Sequence, residues 1–221
     1  MKFTALLLLF ACAIIPQLRA ASTGTDLRWQ SSISSFKEYD SENSYPKNAV
    51  LFVGSDIINI WKTADCFPEF GVINRGFGGS NVQDLFRYYN DIILKYKPAT
   101  IVIGTGDAEC ASKRATEMIV SDFKSLLEKL RADLPHAKII VLSVPKSPAR
   151  SVYFNKIDAI NAKLAEYIAQ KGGKNIGFFD VNTVVCDQNK TPIKDMFRKN
   201  MLHFRRAAYT EISKNLRSLL K

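Results

Sequence analysis

Few side chains in this sequence can do chemistry, and their placement limits what chemistry that is. There are two histidines, His136 and His203, and four cysteines, Cys12, Cys66, Cys110 and Cys186. The run Val-Leu-Phe-Val-Gly-Ser-Asp, residues 50–56, reads as a buried strand entering a tight turn, and it places a carboxylate, Asp56, where a helix begins. A carboxylate there can act as an N-cap, accepting backbone N–H bonds and complementing the helix dipole. It can also act as a nucleophile. Against a carboxylic ester that second role is poor. Attack gives an anhydride, and the tetrahedral intermediate expels the carboxylate sooner than the more basic alkoxide. Ser55 is one residue early, and neighbouring side chains on an outgoing strand point to opposite faces, so it is no substitute. If the fold brings His203 beside Asp56, the two form an ion pair.

Asp107 and Glu109 sit together near the end of an apolar run. With a histidine such carboxylates can bind a divalent cation, but partners among 31 Lys and Arg side chains are the simpler expectation. Cys110 has no identifiable base beside it and reads as packed. No Cys-x-x-Cys is present and histidines are scarce, so neither a metal nor a cofactor is expected. His136, between Pro135 and the next strand, reads as a surface residue.

The elements that must position these residues follow from periodicity. Strand-length apolar runs occur at 49–53, 71–74, 100–103, 138–143 and 176–180. Between most of them apolar residues recur every three or four positions, predicting helices over 82–96, 116–134 and 153–170, with another over 206–220. Such alternation predicts an α/β fold, a mainly parallel five-stranded sheet with helices on both faces, because parallel strands need helical crossovers. The working site of such a sheet lies at the carboxyl ends of its strands, where Gly54-Ser55-Asp56 falls.

Residues 1–20 have the charged start, short apolar middle and small-residue end of a secretory signal peptide. The apolar run is well short of the about 20 residues that span a bilayer, and no other stretch is long enough. A secreted, extracellular protein without a transmembrane segment is expected. Residues 21–46, rich in Ser, Thr and Asp, read as a loosely attached N-terminal extension, and 47–221 as one domain. After processing three cysteines remain, so at most one internal disulfide can form and one thiol stays free or pairs between chains. Asn189-Lys190-Thr191 is a glycosylation sequon weakened by Pro192. The formal net charge of +10 invites polyanions in general. No aromatic-interleaved motif singles out a nucleic acid, so specific nucleic-acid binding is not expected.

Five segments in order then resemble one known family. They are Phe52-Val53-Gly54-Ser55-Asp56-Ile57 with Trp61, then Val72-Ile73-Asn74-Arg75-Gly76-Phe77-Gly78-Gly79-Ser80, then 98–109, 143–150 and 195–203. Together they are similar to the SGNH or GDSL-type esterases and lipases, and 74–80 is the most specific of them. The resemblance implies a three-layer α/β/α, flavodoxin-like domain that hydrolyses acyl esters. It also implies a Ser nucleophile, an oxyanion hole built from a Gly amide and an Asn side chain, and an Asp three residues before a His base. This sequence keeps Gly79 and His203. It carries Asp56 at the nucleophile position, Ala108 at the Asn position in a gap-free register (Gly106 in a shifted one), and Asn200 at the Asp position. Loss of an oxyanion donor costs about 10²- to 10³-fold in other hydrolases, and an Asp-to-Asn change in a comparable triad about 10⁴-fold.

The expectation is therefore a secreted hydrolase-like protein that is catalytically inactive or strongly impaired and acts by binding a ligand or partner, whether a small acyl or glycan-type ligand or a polyanion. Two alternatives stay open. One is an active esterase or lysophospholipase with rebuilt catalytic groups, and the other a basic extracellular polyanion-binding protein.

Overall fold

A computed structural model describes residues 27–220. The signal-peptide reading of 1–20 lies outside the described residues. The elements run in chain order as α1 (Gln30–Glu42), β1 (Val50–Gly54), α2 (Asp56–Asn59), α3 (Thr63–Cys66), β2 (Val72–Gly76), α4 (Val82–Arg87), α5 (Tyr89–Ile92), β3 (Thr100–Gly104), α6 (Asp107–Cys110), α7 (Thr116–Asp133), β4 (Lys138–Leu142), α8 (Phe154–Lys171), β5 (Ile176–Phe179), α9 (Asn182–Val185) and α10 (Arg206–Leu216). The five strands form one sheet in the order β2-β1-β3-β4-β5, and every pairing is parallel. Apolar residues cover both faces. Leu51, Val53, Ile101 and Ile103 pack with α4, α7 and α8 on one side, while Phe52, Val102, Ile140 and Leu142 pack with α2, α9 and α10 on the other. Continuous apolar strands such as Thr-Ile-Val-Ile-Gly suit a sheet buried on both faces.

The helix expected over 82–96 is broken. Its apolar positions are buried as the periodicity requires, but the backbone leaves helical angles at Tyr88 (φ −103°, ψ 15°) and at Ile93 (φ −128°, ψ −66°). Two short helices and a 3₁₀ turn result. Asn81 opens this segment with a reciprocal capping box to Asp84.

The stretch before β1 is more firmly attached than its composition suggests. Helix α1 buries Ile33 and lays Asp40 into a polar knot. The Asp40 carboxylate accepts hydrogen bonds from Lys95 Nζ (2.6 Å) and Tyr96 Oη (2.5 Å) and pairs with the Arg75 guanidinium. Arg75 lies against the rings of Phe36, Tyr39 and Tyr96. Burial alone would push the Asp40 carboxyl up; the three donors and the adjacent positive charge outweigh it and hold it below the usual carboxylate range.

Candidate active site

The site gathers at the carboxyl ends of β1, β2 and β3. Gly54 closes β1 with φ +143°, and a Cβ on it would lie 1.9 Å from the carbonyl oxygen of Gly104 at the end of β3. Only glycine permits the two strand ends to approach so closely. Ser55 follows, buried, its N–H bonded to Gly104 O at 2.9 Å, and Asp56 opens α2.

Asp56 does not cap its own helix. Ser55 holds the cap position without a side-chain hydrogen bond, and the Asp56 carboxylate turns across to the loop after β2. There Oδ2 accepts the Gly79 N–H at 2.7 Å. Gly79 takes a left-handed backbone (φ +70°), which lets its amide face that carboxylate. The N–H that the resemblance assigns to a substrate oxyanion is thus already occupied by an oxygen of the protein itself.

His203 lies on the other side of the carboxylate, Nε2 being 3.8 Å from Asp56 Oδ1. That is within ion-pair reach and too long for a hydrogen bond. Behind it, Asn200 Nδ2 is 3.0 Å from His203 Nδ1. The Asn200 carbonyl accepts the backbone N–H groups of Leu202 (3.2 Å) and His203 (3.1 Å). Those two donors fix which end of the amide is oxygen, so the NH₂ end must face the ring. An NH₂ donor needs a lone pair on Nδ1. The neutral ring therefore carries its proton on Nε2, the nitrogen that a general base must keep free. A carboxylate at position 200 would accept from Nδ1–H and impose the opposite tautomer, as the Asp of a catalytic triad does.

The structure thus brings Asp56, Gly79, Asn200 and His203 together. It does not bring Ala108. Thr105 and Asp107 line the cavity beside Asp56, whereas Ala108 does not; it is the second residue of α6. Gly106, just before α6, is left-handed (φ +106°), and a Cβ on it would meet Val144 Cγ2 at 2.7 Å. No side-chain amide reaches the cavity from either register. Asp107 is held by Arg150 through two 3.1 Å contacts, Nε to Oδ1 and Nη2 to Oδ2. Glu109 is buried, in contact with Arg114 Nη1 at 3.2 Å, and burial pushes its carboxyl up to about 7 against the pull of the Val82 N–H and Arg114. Among the described residues no cluster of His, Cys, Asp and Glu is arranged to hold a metal.

The cavity is small but reachable from solvent, the side chains of Asp56 and His203 being 36% and 28% exposed. It offers about 30 Å³, lined by Asp56, Thr105, Asp107, Ser147, His203 and Tyr209 among others. That is room for one or two waters. The segment Pro148–Tyr153 runs beside the His203 loop, tied to it by Ala149 N–H to Met201 O (2.9 Å) and to α6 by the Arg150–Asp107 pair. Sequence reasoning missed this tie, since nothing in the segment's composition marks a partner on the His203 loop.

The three cysteines of the domain are free thiols. Cys110 is buried and its thiol is pushed up to about 12, which leaves it unreactive. His136 is exposed between α7 and β4, far from the site in sequence and topology.

Comparison with known proteins agrees with this architecture. A model of the GDSL-like lipase/acylhydrolase family matches residues 62–210, a span that begins just after the Asp56 turn. Among solved structures, a protein provisionally described as a platelet activating factor, from Streptococcus pneumonia, superposes with a TM-score of 0.77 at 18% identity, covering 87% of this chain and 92% of its own. A GDSL-like lipase from Bacteroides thetaiotaomicron gives a TM-score of 0.71 at 20% identity over 85% of this chain and 98% of its own. An acetyl-xylooligosaccharide esterase from Geobacillus gives 0.64 at 16% identity over 79% and 95%. No curated protein matches in sequence.

Proposed function

The chain belongs to the GDSL-like lipase/acylhydrolase family, and we propose that it is a catalytically silent or strongly impaired member that acts by binding rather than by cleaving esters. One observation carries the reading: the Asp56 carboxylate accepts the Gly79 N–H at 2.7 Å. A substrate carbonyl would have to displace that oxygen to reach its own stabilising donor. Attack by Asp56 would then give a tetrahedral intermediate that expels the carboxylate sooner than the more basic alkoxide. The Nε2–H tautomer imposed by Asn200 removes the base that would activate water or a hydroxyl. These three obstacles act on one reaction, and their costs would not multiply, because such groups work as a unit. The leader-like residues 1–20 support an extracellular setting.

The test is hydrolysis of p-nitrophenyl acetate and butyrate by the purified protein against a protein-matched blank. The expected result is no burst and no steady turnover. Robust turnover that Asp56→Ala abolishes would overturn the proposal.

A further inference from the structure

A larger cleft lies on the far side of Tyr209 from the Asp56 cavity. It has a volume of about 520 Å³ and is bounded by the α2–α3 segment on one side and α10 on the other. Five cations line it, Lys62, Arg198, Arg206, Lys214 and Arg217, against a single carboxylate, Asp65. That imbalance has no structural use in the fold for three of them. Among the described residues the exposed side chains of Lys62 and Arg206 make no hydrogen bond or ion pair, and Lys214 only approaches the exposed Glu211 at 3.9 Å, one turn away. Such a pair contributes little. The other two are held in place. Arg217 Nη2 donates to Cys66 O at 2.7 Å and its Nη1 pairs with Glu69, while Arg198 Nε donates to Phe204 O at 3.2 Å and leaves its remaining N–H groups free.

Crowding five cations around a concave surface costs self-repulsion that a multivalent anion relieves. We infer that this cleft binds a segment of a sulfated glycan chain, its sulfate esters bridging the fixed guanidiniums of Arg198 and Arg217 and the mobile cations Lys62, Arg206 and Lys214. Guanidinium groups suit sulfate because two N–H donors can engage two oxygens of one anion. The lining argues against the other polyanions. Single-stranded nucleic acid is gripped through aromatic faces on which bases stack, and the one ring of the cleft, Tyr209, is buried (5% exposed) and packed against Trp61. An anionic membrane is gripped through exposed apolar side chains beside the cations, and none of the exposed large apolar residues lines the cleft. The inference does not depend on whether the Asp56 site is silent.

The test is fluorescence anisotropy with the full chain and a labelled, fully sulfated heparin hexasaccharide at about 50 and 300 mM salt. The triple variant Lys62→Gln/Arg206→Gln/Lys214→Gln is compared with the control triple Lys113→Gln/Lys171→Gln/Lys174→Gln, which removes equal charge from exposed positions outside the cleft. The expected result is binding that weakens at higher salt, a loss of at least tenfold in the cleft triple and less than twofold in the control. Equal losses in both triples would mean diffuse attraction and would overturn the site, as would absence of binding. Tighter binding of a charge-matched oligothymidylate or of phosphatidylserine vesicles than of the hexasaccharide would overturn the choice of ligand.

Discussion

Two concavities share Tyr209 as a wall, and they have opposite characters. The one at the strand ends is small, about 30 Å³, and lined by Asp56 and Asp107. The one beside α10 is larger, about 520 Å³, and lined by five cations. In the first, most polar groups are committed within the protein: Asp56 to Gly79, Asn200 to His203 and to backbone, Asp107 to Arg150. In the second, three cations are uncommitted. The buried Ser147 Oγ of the first has no hydrogen-bond partner among the described residues, so the two differ chiefly in size and in the sign of their charge.

The largest expected effect comes from rebuilding the first region. Asp56→Ser removes the carboxylate from the Gly79 N–H, and Asn200→Asp turns the donor facing His203 Nδ1 into an acceptor. Together they move the ring proton to Nδ1 and free Nε2 as a base for Ser. The double variant should hydrolyse p-nitrophenyl acetate at least 10²-fold faster than Asp56→Ser alone, since an unsuitable tautomer costs about 10⁴-fold in a comparable triad. Adding His203→Ala should abolish the gain. A folded double variant as inert as the parent would overturn the assignment of Asp56 and Asn200 as the obstacles.

Next in size is the brace that ties α1 to β2. Asp40 and Arg75 have side chains only 6% and 8% exposed, so removing one leaves the other buried and uncompensated, a change that typically costs 3–5 kcal/mol. Asp40→Ala should lower unfolding free energy by about 3 kcal/mol in urea titration at neutral pH. It should leave hexasaccharide binding intact, because Asp40 is held by Arg75, Lys95 and Tyr96 and no residue of α1 lines the cleft.

Glu109 gives a pH signature. Its carboxyl is raised to about 7 by burial, with Arg114 pulling down and Asp122 and Asp84 pushing up. A raised carboxyl means the folded chain holds a proton that the unfolded chain has released. Stability from this group is full below its unfolded value near 4.5 and declines as pH rises through about 7. The decline should total about 2–3 kcal/mol between pH 5 and 8. Glu109→Gln should flatten that part of the profile, and an unchanged slope would show that the carboxyl is better solvated than its 3% exposure implies.

What was readable in the sequence and what was not divides along the same line. Strands and long helices come from apolar periodicity, which local residues set, so the five strands and the helices near 116–134 and 153–170 are legible to within two residues or so. The helix at 82–96 is not, because the breaks at Tyr88 and Ile93 answer to packing rather than to any Gly or Pro. Asp56, Gly79, Asn200 and His203 were legible through motif order. Ala108 was placed by register alone, and it does not line the cavity. The Asp40–Arg75 knot joins residues 35 apart, and the cleft cations come from three separated segments; neither leaves a local trace in the sequence.

The smallest expected effect tests whether the two regions are independent. Asp56 and the cleft cations stand on opposite sides of Tyr209, whose ring is buried and whose hydroxyl donates to Ile57 O at 3.0 Å. Burial and the nearby Asp56 charge raise that hydroxyl, with Arg198 opposing, so the wall stays neutral at physiological pH. Asp56→Asn removes one negative charge while its amide oxygen still accepts the Gly79 N–H, so the geometry is kept. The field of the lost charge must reach solvent-exposed cations through water, where screening acts over about 8 Å at physiological ionic strength. Hexasaccharide affinity of Asp56→Asn should therefore differ from the parent by less than twofold at 150 mM salt. A tenfold gain would show that the Asp56 cavity and the cationic cleft act as one electrostatic unit, and the contrast between them would have to be redrawn around the charge of Asp56.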